Sequence, residues 1–162
     1  MSEGYYDTSQ VCLNGHVIND NFRSRPQHNQ NCCNKCGQAT IYKCQKCSTD
    51  IRGEYHVPNV FGGGFGSTAP KYCHHCGAPY PWSERTIQAA SELADLIEEL
   101  TESERATLKE SFPDLIGETP RTELAKIKFK KIMAKTGKEA YDGMKSILVS
   151  VLSEAVKKSI FP

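Results

Sequence analysis

Paired metal-ligand half-sites fill the first half of this chain, and no cysteine follows Cys76. They read C-L-N-G-H (Cys12, His16), C-N-K-C-G (Cys33, Cys36), C-Q-K-C-S (Cys44, Cys47) and C-H-H-C-G (Cys73, Cys76). Three have two residues between the donors, a spacing that lets backbone amides curl around a metal-bound thiolate. Four half-sites supply two tetrahedral zinc centres, one of three cysteines and a histidine and one of four cysteines. The predicted cofactor is therefore two Zn(2+) ions.

The chain needs such staples. Its 162 residues are 38% hydrophobic, low for a single large core, and a short Cys-rich segment buries too little apolar area to fold alone. Eight cysteines are also enough for four disulfides. Against that, S-E-G-Y-Y-D after Met1 has no charged-then-apolar leader, and no apolar run approaches the roughly 20 residues of a membrane span. The expectation is a cytoplasmic protein without membrane attachment, whose Cys-x-x-Cys pairs bind metal.

Consecutive pairing assigns Cys12, His16, Cys33 and Cys36 to one ion, and Cys44, Cys47, Cys73 and Cys76 to the other. It is preferred because each site then closes locally, as in a zinc ribbon. A cross-brace, with half-sites one and three sharing an ion, stays open. So does the fourth ligand of the first site: the Asn14-Gly15 turn brings His16 round, while Cys32 is either a spare thiol or its replacement. His28, His56, His74 and His75 are expected outside the ligand sets.

The expected fold is α+β: a polar tail over 1–10, a double zinc-ribbon module over 11–82 with short β-hairpins, and about four helices over 83–162. Ala39–Lys43 and Ile51–Val57 carry the β-branched and aromatic content of strands. The stretch Asn59–Pro70 is rich in glycine and reads as a loop that displays Phe61 and Phe65 or merely connects. Ser83 is read as an N-cap ahead of Ile87, Ala90, Leu93, Ala94, Ile97 and Leu100. Thr101 and Glu104 form a capping box for a helix ending near Phe112-Pro113. Thr119-Pro120 opens a third helix through Ile127, Ile132 and Met133. One last helix is predicted from about Lys138 to Ile160, its apolar stripe including Tyr141, Met144, Leu148, Val151, Leu152 and Ala155. That stripe serves a bundle core or a homodimer seam.

Charge is segregated. Residues 1–83 hold seven Lys/Arg against five Asp/Glu, 84–118 three against ten, and 119–162 ten against four. Two divalent ions and seven ligand thiolates would bring the first segment to about −1. Solvated or mutually paired faces within one bundle account for the acidic and basic segments. A nucleic-acid surface is the alternative, using Lys43, Lys46, Arg52 and Lys71, with Lys126, Lys128, Lys130, Lys131 and Lys135 in the helices.

Catalysis is not expected. A catalytic zinc keeps an open position beside a general base, whereas both sites here fill with four protein ligands. There is no H-E-x-x-H, and no H-x-E partner for a deaminase-type C-x-x-C. The leading expectation is a zinc-binding adaptor for a protein partner that the sequence does not identify. A zinc-dependent hydrolase or nuclease is the remaining rival.

The ordered set C-L-N-G-H-V-I-N, C-C-N-K-C-G, Y-K-C-Q-K-C, I-R-G-E-Y-H-V-P and Y-C-H-H-C-G-A-P-Y-P-W resembles an uncharacterised bacterial family, a domain of unknown function. T-P-R-T-E-L-A and I-L-V-S-V-L-S-E-A in the second half are similar too. The resemblance implies N-terminal zinc ribbons, a helical C-terminal region and a bacterial cytoplasmic protein; it implies no activity. Cys32, beside Cys33, has no place in that pattern.

Overall fold

The computed structural model describes residues 3–61 and 68–162. The chain divides into two compact units, Met1–Trp82 and Ser83–Pro162. Among the described residues the architecture is α+β, with two small sheets before five helices.

In the first unit, β1 (Tyr5–Thr8) pairs antiparallel with β5 (Arg52–His56), with a register irregularity between Tyr6 and Thr8. A second sheet has the order β3 (Val17–Asn19), β2 (Gln10–Cys12), β4 (Thr40–Ile41). A 3-10 turn, Pro26–His28, lies between β3 and β4. Within the expected polar tail, Tyr5–Thr8 is a strand and Asp7, Thr8, Ser9 and Gln10 are buried, so residues 5–10 belong to the folded unit.

Asp7, Thr8 and Gln10 survive burial by hydrogen bonding, whereas the buried Ser9 hydroxyl has no partner among the described residues. Asp7 accepts from the N–H groups of Thr8, Arg23 and Ser24 and from the Ser24 hydroxyl. Gln10 donates to the Gln30 carbonyl and accepts from the Gln30 N–H. Burial pushes the Asp7 carboxyl up, but the Ser24 hydroxyl and the three backbone N–H groups outweigh it and hold it below its ordinary value. The apolar core is small: Val11, Ile51, Tyr80 and Trp82 pack with Cys44 and Cys73. So little apolar burial leaves the unit dependent on its cysteine clusters.

Helix α1 (Pro81–Leu96) starts in the last two residues of the first unit, and the second unit contains the rest of it with α2 (Glu102–Ile116), α3 (Thr122–Met133), α4 (Lys138–Leu148) and α5 (Glu154–Ile160). Helix α1 begins at Pro81, two residues before Ser83, since proline suits a first turn, whose N–H groups lack helical partners. Thr101 and Glu104 form the expected reciprocal cap on α2. That helix continues through Pro113 to Ile116. Proline sacrifices one hydrogen bond there, while the next turn buries Leu115 and Ile116.

The single long last helix is two. The break falls at Val149–Ser153, where Ser153 accepts from the Val156 N–H and caps α5, and Gly143 stays inside α4. Helix α3 begins at Thr122 and buries Ala125, Phe129, Ile132 and Met133, which leaves Ile127 exposed. Met144, Leu148, Val151, Leu152 and Val156 lie in the unit's own core, while Ala155 is exposed. Lys135 pairs with Glu104, and Arg121 with Asp114, so some acidic and basic segments meet within the bundle. Among the described residues, no helix is long and apolar enough to cross a membrane.

Candidate metal centres

Three stretches of the first unit share one backbone design. In each, the N–H of the first cysteine donates to the carbonyl five residues on: Cys33 to Gln38, Cys44 to Thr49 and Cys73 to Ala78, all at 2.8 Å. The carbonyl of that cysteine accepts from the residue after the second: Gly37 at 2.8 Å, Ser48 at 2.9 Å and Gly77 at 2.9 Å. Closing this loop requires a left-handed residue. Gly37, Ser48 and Gly77 accordingly have φ of 75°, 62° and 74°. Glycine takes that conformation without strain, and serine does so at some cost.

The loop wraps N–H groups around sulfur. Gln38, Thr49 and Ala78 each direct a backbone N–H at the second cysteine of its knuckle, Cys36, Cys47 and Cys76 respectively. Lys35 N–H points at Cys33 Sγ, 3.4 Å away. Such donors favour the thiolate, the form that binds metal.

The remaining half-site is the β2–β3 hairpin. Cys12 N–H donates to the His16 carbonyl, the Gly15 N–H to the Cys12 carbonyl, and the His16 N–H to Cys12 Sγ. Gly15 has φ of 92°, and a Cβ there would sit 3.0 Å from Trp82 Cβ. The turn that brings His16 back beside Cys12 thus requires glycine both for its dihedral and for its packing.

Two groups of donors result: Cys12, His16, Cys33 and Cys36, and Cys44, Cys47, Cys73 and Cys76, with the atoms of each group all within 4.8 Å of one another. In the first, His16 Nδ1 lies 3.4 Å from Cys12 Sγ and 3.5 Å from Cys33 Sγ, and Cys12 Sγ lies 3.7 Å from Cys36 Sγ. In the second, Cys44 and Cys76 are 3.7 Å apart and Cys47 and Cys73 3.6 Å apart, sulfur to sulfur. A tetrahedral ion with metal–sulfur bonds of about 2.3 Å needs sulfurs about 3.8 Å apart, and about 3.6 Å between sulfur and a ligating nitrogen. The donors fit such an ion, and each group could hold one.

The half-sites therefore come together in consecutive order, with His16 rather than Cys32 in the first group. Cys32 is exposed and pairs across its knuckle with Ala39, the register position that Lys43 and Tyr72 hold in the other two. That position lies one residue before the first donor, so its side chain has no part in the cluster. His28, His56, His74 and His75 are likewise outside both groups. Phe61 is exposed, and Phe65 lies outside the described residues.

The electrostatics explain why a cation belongs here. The Gln38 N–H, working against burial and joined by the side chains of His16 and Asn14, draws Cys36 down to about 6. The Cys76 N–H, with that of His75, does the same for Cys73, also to about 6. Cys76 has the Ala78 N–H in its favour, yet desolvation and the thiols of Cys47, Cys44 and Cys73 push it up to about 11. One thiolate forms readily and makes the next costly; a divalent ion removes that repulsion.

The residues that support the donors carry a weaker sequence signal: Ser48, and the amides at Gln38, Thr49 and Ala78, stand out only when the three C-x-x-C segments are aligned. Tyr80 has no signal of this kind. It stacks on Trp82 at 4.7 Å between centroids, and its buried hydroxyl has no hydrogen-bond partner among the described residues. Burial, then the neighbouring Cys73, Cys44 and Cys47, raises its phenol well above the usual range.

The family model described as an uncharacterized protein conserved in bacteria (DUF2321) matches residues 5–160. The chain belongs to that family. No curated protein and no solved structure matches it. The match takes in both donor groups and the five helices of the described residues.

Proposed function

We propose that the protein is a non-enzymatic zinc-built adaptor, in which two structural zinc ions hold the first unit as a recognition surface and the helical unit docks a protein partner or a second copy. One observation carries this reading: each donor group already has four protein ligands at tetrahedral spacing. A structural zinc is closed in this way, whereas a catalytic one keeps a position for water or substrate. Sulfur-rich donors with one imidazole suit zinc among the common divalent ions. Bound zinc would supply cross-links in place of the missing apolar core. Thiolate centres of this kind persist in a reducing compartment, which supports a cytoplasmic location.

Cobalt substitution tests the closed coordination. Two tetrahedral thiolate-rich cobalt centres should give absorption bands that added cyanide or azide leaves unchanged. A band shift on adding either anion would indicate an open position and bring a hydrolase or nuclease back into consideration. Affinity purification from the native host, with and without nuclease, tests the adaptor role: a defined protein recovered from both samples supports it, and none recovered from either counts against it.

A further inference from the structure

The β1–β5 ribbon and the loops beside it carry two groups of rings and cations, joined through Thr8 and Asp50. Tyr6 and Tyr55 face each other across the strands at 4.7 Å between centroids, and each is 51% exposed. The Arg52 guanidinium lies 4.6 Å from the centroid of the Tyr6 ring. Arg52 is the cross-strand neighbour of Thr8, whose hydroxyl donates to Asp50 at 2.8 Å. Asp50 in turn holds Arg23 at 2.9 Å and Lys43 at 3.9 Å. The Arg23 guanidinium lies 5.6 Å from both the Phe22 and Tyr42 rings, which stack on each other at 4.3 Å.

Rings of this size are rarely left in water without a use, and here they alternate with positive charge. Three cations share the track with the carboxylate of Asp50, while Glu54 of β5 accepts a hydrogen bond from the Asn21 side chain. The nearby Asp7 is buried and saturated with hydrogen bonds. Aromatic faces interleaved with guanidinium groups match a chain of unpaired bases joined by phosphates. We propose that this track binds single-stranded nucleic acid, with bases stacking on Tyr6, Tyr55 and Tyr42 and phosphates meeting Arg52, Arg23 and Lys43. The proposal rests on the recognition-module reading above and names the partner of the zinc-built unit.

The test is fluorescence anisotropy with the full zinc-loaded chain and labelled oligothymidylate of about 16 nucleotides, within the range of single-strand site sizes. Oligouridylate of the same length separates RNA from DNA as the natural source. Binding is expected at low salt and should fall steeply as salt rises. Tyr6→Ala and Tyr55→Ala should each weaken binding roughly tenfold, and Tyr6→Phe should keep it. Arg52→Ala should weaken it and flatten the salt dependence by about one phosphate contact.

A duplex and polyglutamate should both bind far more weakly. Lys131→Ala, on helix α3, should change nothing. Equal binding of polyglutamate, or loss through Lys131 but not through Tyr6 or Arg52, would overturn the proposal. So would the absence of binding at low salt by a chain whose zinc content and Trp82 fluorescence show it intact. A chain lacking zinc would instead refute the underlying module reading, so the two failures are distinct.

Discussion

Gly53→Ala should be among the most damaging single-carbon additions in the first unit. Gly53 lies in β5 where the chain passes close to β1 and to the segment after β3. A Cβ there would fall inside the shell of the Asp20 carbonyl oxygen, 2.8 Å from the Thr8 carbonyl carbon and 2.9 Å from its oxygen. These neighbours are backbone, so they yield only if the strands part. Two hydrogen bonds hold them in place: Glu54 N–H to the Asp20 carbonyl and Phe22 N–H to the Thr8 carbonyl, both 2.9 Å. Losing both, with a donor left unsatisfied, costs about 2–4 kcal/mol. Replacing glycine returns about 0.4–1 kcal/mol by restricting the unfolded chain, so the net loss is about 1–3.6 kcal/mol. The assay is urea unfolding of the zinc-loaded chain followed by Trp82 fluorescence. Trp82 is the single tryptophan and packs in the core of this unit with Val11 and Tyr80, so the signal reports on that core. A loss below about 0.5 kcal/mol, within the range of unremarkable surface changes, would refute the reasoning.

Three further outcomes are expected. Gly77→Ala meets no atom within 4 Å but imposes φ of 74° on alanine, so it should cost only about 1 kcal/mol in the same assay. Asp7→Ala strips four acceptor contacts from buried or half-buried donors and should cost about 2–4 kcal/mol near neutral pH. The Asp7 carboxyl is held below 3.8, so its contribution is complete above that value and fades as pH falls through the lower folded one. The stability difference between parent and variant should therefore shrink in strong acid; a constant difference would contradict the assignment. Tyr80→Phe removes a buried hydroxyl on which Cys73, Cys44 and Cys47 of the second cluster act electrostatically. It should hasten metal loss to a chelator from that cluster and not from the first, as seen by competition with a colorimetric chelator; equal release from both would leave the hydroxyl without a role there.

The donor groups were legible because metal ligation is written in local spacing: C-x-x-C followed by glycine or serine closes a single turn, whatever lies around it. The α+β class and the split near Trp82 followed from where helical periodicity begins. What stayed hidden depended on tertiary partners. Asp7, Thr8 and Gln10 look like a solvated tail until the loop from Asn21 to Gln30 supplies hydrogen bonds to them, and Ser9 is tied instead to the Ile51 carbonyl. The break before α5 was masked by Val151 and Leu152, which extend the apolar stripe across it, while the cue lay in the cap residue Ser153. Ile127 points outward because Ala125, Phe129, Ile132 and Met133 form the better buried face, and the large Phe129 ring, T-stacked on Phe161, fixes that rotation.

The central claim is that two closed zinc centres build the first unit, and counting metal by native mass spectrometry tests it most directly. The full chain should carry two zinc ions, with Cys12→Ser and Cys44→Ser each retaining one. Retention of no zinc by the parent, or of both ions by either variant, would contradict the account.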